Sequence, residues 1–170
     1  TLILDQKGNI ILLTRAPDLR QAQNTSTIKD IRIWVDKDES NPTDDLKIIL
    51  NEINLKGKKI GIEYEAYGMT GRNALRLNKS LENYCEVEDH SELITEHRVI
   101  KSQDEIVYVK IAAELADRAL DEAWKYTKAG ASESKILAEM QKVIFEGGGD
   151  YPANEFIIGS GHNALLCRYQ

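Results

Sequence analysis

The side chains of this sequence best equipped for chemistry are three histidines, two cysteines, a close pair of glutamates, and a few arginines and tryptophans. His90, His97 and His162 are dispersed, and none has a partner at the spacing a metal site needs. His90 and His97 read as surface residues. His162 follows Ser160-Gly161 after an apolar run, where loops carry binding and catalytic groups, so it is a candidate site residue. Glu63 and Glu65 share one face of an expected strand. That suits either an exposed polar face or an acid/base pair, and the pair would need one raised pKa. Arg15, Arg20 and Trp34 stand out early in the chain. A tryptophan buries much apolar area while its N–H seeks a partner, which leaves core and interface both open for Trp34. HExxH, GxSxG, a P-loop lysine and a dinucleotide-type glycine fingerprint are all missing. Gly147-Gly148-Gly149 has no following Lys-Ser/Thr and reads as a helix terminator with a flexible exit.

The chain that must position these groups has 170 residues, 42% hydrophobic and 29% charged. Such a composition excludes long-range disorder, collagen-like repeats and low-complexity polymers. The length fits one domain or one and a half. With 22 basic against 28 acidic residues, the net charge of -6 gives no footprint for nucleic-acid backbone or anionic lipid. No apolar run approaches the roughly 20 residues that cross a bilayer, and nothing at Thr1 reads as a signal peptide. Cys85 and Cys167 are far apart and form no CxxC; they point to a reducing compartment, although the two could pair. The expectation is a cytoplasmic protein with no nucleic-acid or membrane partner. Neither end reads as an end: Thr1-Leu2-Ile3-Leu4 is a strand in progress, and residues 163–170 stop within an apolar segment without a turn or cap. A window cut from a longer protein is expected, the alternative being a complete domain with processed termini.

Leu2–Asp5 and Asn9–Thr14 flank the turn-type spacer Gln6-Lys7-Gly8 and predict a hairpin. Arg15 through Lys29 reads as an irregular polar stretch, and Ile31–Val35 alternates like a strand. Thr43 is expected to cap a helix with Asp44 and Asp45 in its first turn, a stripe of Leu46, Ile49, Leu50 and Ile53, and an end at Lys56-Gly57. Lys59–Tyr64 is the next strand, Thr70 caps a helix carrying Leu75, Leu77 and Leu81, and Tyr84–Val87 returns as a strand. This alternation predicts an α/β sandwich in the first hundred residues. Ser102-Gln103-Asp104-Glu105 is a capping box opening a long helix with Ile106, Val109, Ala113, Ala116, Leu120 and Ala123 at helical spacing. Ser132 opens another with Ile136, Leu137, Met140, Val143 and Ile144, and Phe156–Gly159 reads as a buried strand. The change of character places a boundary between Glu96 and Lys101.

Four of these segments together resemble the creatinase / aminopeptidase P / prolidase superfamily, the pita-bread hydrolases. Lys58-Lys59-Ile60-Gly61-Ile62-Glu63 is similar to its late N-terminal-domain strand. Arg98-Val99-Ile100-Lys101-Ser102-Gln103-Asp104-Glu105-Ile106 is similar to its R-x-I-K-S-x-x-E-I junction, with Ala112 to Asp117 following. Gly130-Ala131-Ser132-Glu133 matches G-x-S-E, and Ser160-Gly161-His162-Asn163 matches the S-G-x-N that leads to the first catalytic histidine. Over residues 1–57 the resemblance is limited to the hairpin and its Thr14-Arg15 end.

The resemblance implies a partial creatinase-type N-terminal α/β domain over 1–98, followed over 99–170 by the opening helices and first strand of a pita-bread α+β domain of catalytic type. It also implies a dinuclear divalent metal centre whose aspartate, histidine and glutamate ligands would lie beyond residue 170, so that no metal is expected in this segment. The family histidine falls at Arg168 here. An arginine does not exchange protons near neutral pH but grips carboxylates bidentately. That points away from ordinary Xaa-Pro peptidase activity and towards small carboxylate-bearing substrates, an ectoine-like C–N bond first. Arg168, His162, Tyr169, Trp34 and Arg20 are the substrate-binding candidates, with an ion pair as the plainer role for Arg168. By analogy the protein is a homodimer in which Arg20 or Trp34 reaches a partner's pocket. The alternatives are a dimethylsulfoniopropionate lyase, an Xaa-Pro dipeptidase or aminopeptidase of the same superfamily, and a catalytically silent binding module.

Overall fold

The first strand, β1 (Leu2–Leu4), pairs antiparallel with β2 (Ile10–Arg15) in the register Leu2 to Leu12 and Leu4 to Ile10. The turn between them is pinned by Asp5, a role its sequence neighbourhood did not announce. Its carboxylate accepts the Lys7 and Asn9 backbone N–H groups at 2.8 and 2.9 Å and the Asn9 side-chain amide at 2.7 Å. Gly8 takes the left-handed φ of +83° that the reversal demands. These donors hold the Asp5 carboxyl below its ordinary range, the Asn9 side chain contributing most. The structure is a computed structural model that describes residues 1–166.

The stretch expected to be irregular is structured. A 3-10 turn over Ala16–Asp18 leads into α1 (Leu19–Thr25), which carries the chain to β3 (Asp30–Trp34), parallel to β2. No residue of α1 is buried, so it leaves no apolar stripe for periodicity to find. Helix α2 (Pro42–Glu52) is capped by Asn41, whose side chain accepts from the Thr43 N–H, with Pro42 in the first turn. Thr43 is therefore not the cap. It lies inside the helix, and its buried hydroxyl has no partner. The helix ends at Glu52, not at Lys56-Gly57: beyond the C-cap Ile53, Asn54 has φ +60°, and the Leu55 and Asn54 N–H groups reach back to the Leu50 and Asn51 carbonyls. That is a Schellman stop with asparagine in the left-handed position.

β4 (Lys59–Ile62) and β5 (Glu86–Asp89) form a parallel pair joined by α3 (Gly71–Leu81), which Thr70 caps through the Asn73 N–H. β5 begins two residues later than the apolar pattern indicates, because Tyr84 and Cys85 turn into the core. Leu75 is exposed, while Leu77 and Leu81 carry the buried face of α3. A short helix, α4 (Leu93–Val99), follows with no buried residue.

Helix α2 serves two cores. Ile49 joins Ile11 and Leu13 beneath the three-stranded sheet, whereas Leu50 joins Ile62, Leu77, Leu81 and Tyr84 beneath the pair β4–β5. Leu46 and Ile53 touch both clusters. Polar bonds fasten α2 to the α3 side: Tyr84 donates its hydroxyl to the side-chain Oδ1 of Asn51 at 2.8 Å, and Lys47 Nζ donates to the Ser80 backbone carbonyl at 2.9 Å.

The chain divides into one compact unit over Thr1–Arg98 and a second beginning at Val99. In the second, α5 (Gln103–Tyr126) opens on the capping box, with the Ser102 hydroxyl accepting the Glu105 N–H at 3.2 Å and the Glu105 carboxylate accepting the Ser102 N–H at 2.7 Å. It packs on α6 (Glu133–Glu146). The buried stripe of α5 is Leu115 and Ala119; Val109, Ala113, Ala116 and Leu120 are exposed. The helix is apolar on more than one side, so spacing alone does not choose the side α6 covers. Residues 156–159 form no strand, since no segment among the described residues of this unit offers them a ladder. A 3-10 turn spans Gly161–Leu165. Among the described residues, no helix is long and apolar enough to cross a membrane.

Because α2 is shared, residues 1–98 are expected to unfold as one unit. Leu13→Ala and Leu81→Ala, at the two most deeply buried side chains, should each cost about 2–5 kcal/mol. In a Trp124→Phe, Cys167→Ser background, Trp34 fluorescence at the first sheet and Cys85 alkylation at the second should report the same shifted urea midpoint in both variants. Two separate midpoints would contradict a shared core.

Candidate functional site

Two of the motif segments meet in the second unit. Gly130, at φ +81°, turns the chain into Ser132, the residue preceding α6, and Glu133 is the first residue of that helix. Ser160 donates its hydroxyl to the Glu133 carboxylate, 27 positions away. A carboxylate suits this place because the helix N-terminus favours negative charge. Downstream, Gly161 has φ +55°, the Asn163 N–H bonds the Ser160 carbonyl and the Leu166 N–H bonds the Asn163 carbonyl, both at 3.1 Å. A side chain on Gly159 would place its Cβ 2.8 Å from the Asn163 carbonyl oxygen. His162 sits on this tight turn, exposed.

The three glycines after α6 make an ordered stop, not a flexible exit. Gly148 has φ +82°, and the N–H groups of Gly148 and Gly149 return to the Phe145 and Ile144 carbonyls at 3.1 and 2.9 Å, completing a Schellman motif. Gly147 and Gly149 lie against Leu115 of α5, where an added Cβ would stand 2.2 and 3.3 Å from its methyl groups. The chain then continues past a Phe145–Tyr151 edge-to-face ring contact at 5.0 Å.

The candidates are distributed as follows. Trp34 and Arg20 belong to the first unit and His162 to the second. Trp34 is partly buried against Ile11, Leu13 and Ile49, while Arg20 is exposed on α1. Arg15 pairs with Asp18 at 3.1 Å and Asp36 at 3.9 Å. Glu63 and Glu65 lie beyond the end of β4 and share no strand face. His90 packs over Gly61, within 3.5 Å of the Glu88 carboxylate. Glu88 is held below the ordinary carboxylate range, chiefly by its hydrogen bond with Lys59. Arg168, Tyr169 and Cys167 lie outside the described residues. Among the described residues, no group of three or more His, Cys, Asp or Glu side chains could hold a metal ion. Sequence reasoning missed the Glu133–Ser160 contact; its one signal is an acid at the first helical position, behind a serine that makes no cap bond.

Two open hollows mark the first unit. One, of about 540 Å³, lies between the hairpin turn and the loop before β3, with Asp5, Asn9, Thr27 and Lys29 on its walls. The other, of about 580 Å³, lies beside Tyr64, Asn78 and Cys85. Burial pushes the Cys85 thiol above its usual range, with Lys47 opposing, and also raises the Tyr84 phenol.

A family model described as the Creatinase/Prolidase N-terminal domain matches residues 1–100, and one described as Metallopeptidase family M24 matches residues 108–170. An Xaa-Pro dipeptidase of Pyrococcus furiosus is 29% identical over 115 residues, 68% of this chain and 32% of that relative. An Xaa-Pro dipeptidase of Pyrococcus horikoshii is 30% identical over 110 residues, 64% of this chain and 30% of that relative. The chain thus spans about a third of the length of these curated relatives. Among solved structures, the prolidase from P. horikoshii superimposes with a TM-score of 0.70 at 24% identity, covering 94% of this chain and 42% of that one. The prolidase from P. furiosus gives 0.69 at 23% identity, with 95% and 46% covered.

Two outcomes follow. Gly159→Ala should shift the amide resonances of residues 160–166, whereas Gly68→Ala, with nothing within 4 Å and no left-handed φ, should leave the spectrum local and the fold unaltered. At alkaline pH, both Cys85 and Tyr84 hold their protons more tightly when folded. Their contribution is present below the ordinary thiol and phenol pKa values and is lost as pH rises through the raised ones. The urea midpoint of the first unit should fall as pH rises through and above the ordinary thiol and phenol range, from about pH 8.5 upward. Cys85→Ala should remove part of that fall; an unchanged slope would exclude the thiol.

Proposed function

This chain belongs to the creatinase/prolidase family, and we propose that it serves in the hydrolysis of Xaa-Pro dipeptides. The observation that carries the proposal is the tethered Ser160–Asn163 turn, held at the start of α6 inside the stretch similar to the metallopeptidases of family M24. The names of both curated relatives support the substrate. The expectation of an ectoine-like substrate finds no support in either of them.

The reaction adds water across the amide C–N bond, giving the carbonyl carbon a hydroxyl and the proline nitrogen a proton. Arg168 fits this substrate as well as it fits a small zwitterion, because a dipeptide ends in a free carboxylate that a guanidinium can grip with two parallel bonds. The same reading makes the protein a homodimer. With Trp34 packed into the core, exposed Arg20 is the better placed of the two to reach a partner's pocket.

The test assays the protein expressed from its complete reading frame on Xaa-Pro dipeptides, ectoine and dimethylsulfoniopropionate. Dipeptide turnover is expected, and Arg168→Ala should raise KM by roughly 10- to 100-fold, the loss of a charge-assisted pair. Turnover of ectoine or dimethylsulfoniopropionate with dipeptides untouched would overturn the proposal, as would no turnover of any of the three.

A further inference from the structure

We infer that Glu133 is a positioning residue, whose carboxylate sets the place of the turn carrying His162. The inference rests on the hydrolase reading for its functional consequence, and on geometry alone for the tether. Glu133 is not used in capping: Ser132 makes no side-chain cap bond, in contrast to the reciprocal pair of Ser102 and Glu105 on α5. Its carboxylate instead receives the Ser160 hydroxyl.

That bond matters because of what precedes it. Between the glycine stop of α6 and Ser160, the described residues form no helix and no strand, so no backbone ladder fixes the approach to the turn. The turn's own two bonds, from Asn163 to Ser160 and from Leu166 to Asn163, are too few to hold its shape in water by themselves and do not fix its location. The location is supplied by Ser160, its first residue, fastened to the end of a packed helix. An O–H donor on an ionised acceptor is among the stronger neutral-to-charged contacts. With Gly159 close to the Asn163 carbonyl and Gly161 in a left-handed conformation, the bonds of the turn depend on where Ser160 is held. Releasing Ser160 therefore frees His162 together with the residues around it.

The experiment compares Glu133→Ala, Ser160→Ala, the double variant, and the bond-preserving Glu133→Gln and Ser160→Thr, each in the complete protein. Hydrogen exchange at the Asn163 and Leu166 amides should rise about tenfold or more in both alanine variants and no further in the double. It should stay within about twofold in the two conservative variants, while α5 and α6 amides remain protected in all five. On Xaa-Pro dipeptides the alanine variants should raise KM about tenfold with kcat changed less than threefold, since the turn is misplaced but no reacting group is removed. Unchanged exchange in the single variants, additive effects in the double, or conservative variants as loose as alanine would overturn the inference. A wild-type protein that cleaves no dipeptide would refute the hydrolase reading, while the exchange data would still decide the tether.

Discussion

Adjacent residues of one helix cannot face the same way, and the first unit is built on that constraint. Successive side chains of α2 point about 100° apart, so Ile49 and Leu50 enter different clusters, one under each sheet. They are 4% and 2% exposed, so neither cluster is complete without the helix. Neither sheet is large: three strands in one and two in the other, and a two-stranded pair gains little stability in water by itself. Each sheet depends on the helix they share. The asparagine at each end follows from this, since Asn41 and Asn54 set where α2 starts and stops and so which residues turn towards which sheet.

Where one side of an element is buried, the sequence pattern was easy to read. The hairpin, α2, the β4–α3–β5 crossover, the Thr70 cap and the Ser102–Glu105 box are all visible in spacing and capping residues, because burial on one face imposes a period and orphan amides demand particular side chains. The same logic explains the omissions. Helices α1 and α4 bury no residue and so carry no stripe. Thr43 and Asn41 are both good capping types two positions apart, and only the backbone decides between them. On α5, several sides are apolar, and which one is covered is a property of α6. Residues 156–159 are apolar enough for a strand, but a strand is a relation between two segments, not a property of one.

The site was legible in one dimension and illegible in the other. Its two motifs could be picked out separately as Gly130–Glu133 and Ser160–Asn163. Nothing in their spacing says that a carboxylate of the first takes a hydroxyl of the second, because a separation of 27 positions leaves that distance unconstrained. His162 is a candidate by its place after a Ser-Gly step, and the turn presents it to solvent. For Trp34 the sequence leaves core and interface both open, and its packing against Ile11 and Leu13 shows the core half of that choice.

The glycine stop gives α6 a fixed length, with an evolutionary consequence. Removing one residue between Glu133 and Glu146 would rotate the exit of the chain by about 100° and draw it back by about 1.5 Å. It would also separate Gly147 and Gly149 from the Leu115 methyl groups they accommodate. The same deletion between 150 and 158 would be absorbed by irregular backbone. Length variation among relatives of this chain should therefore gather after the third glycine and avoid the helix before it. The 14 residues of α6 work as a spacer of set phase, and the segment behind it takes up the slack.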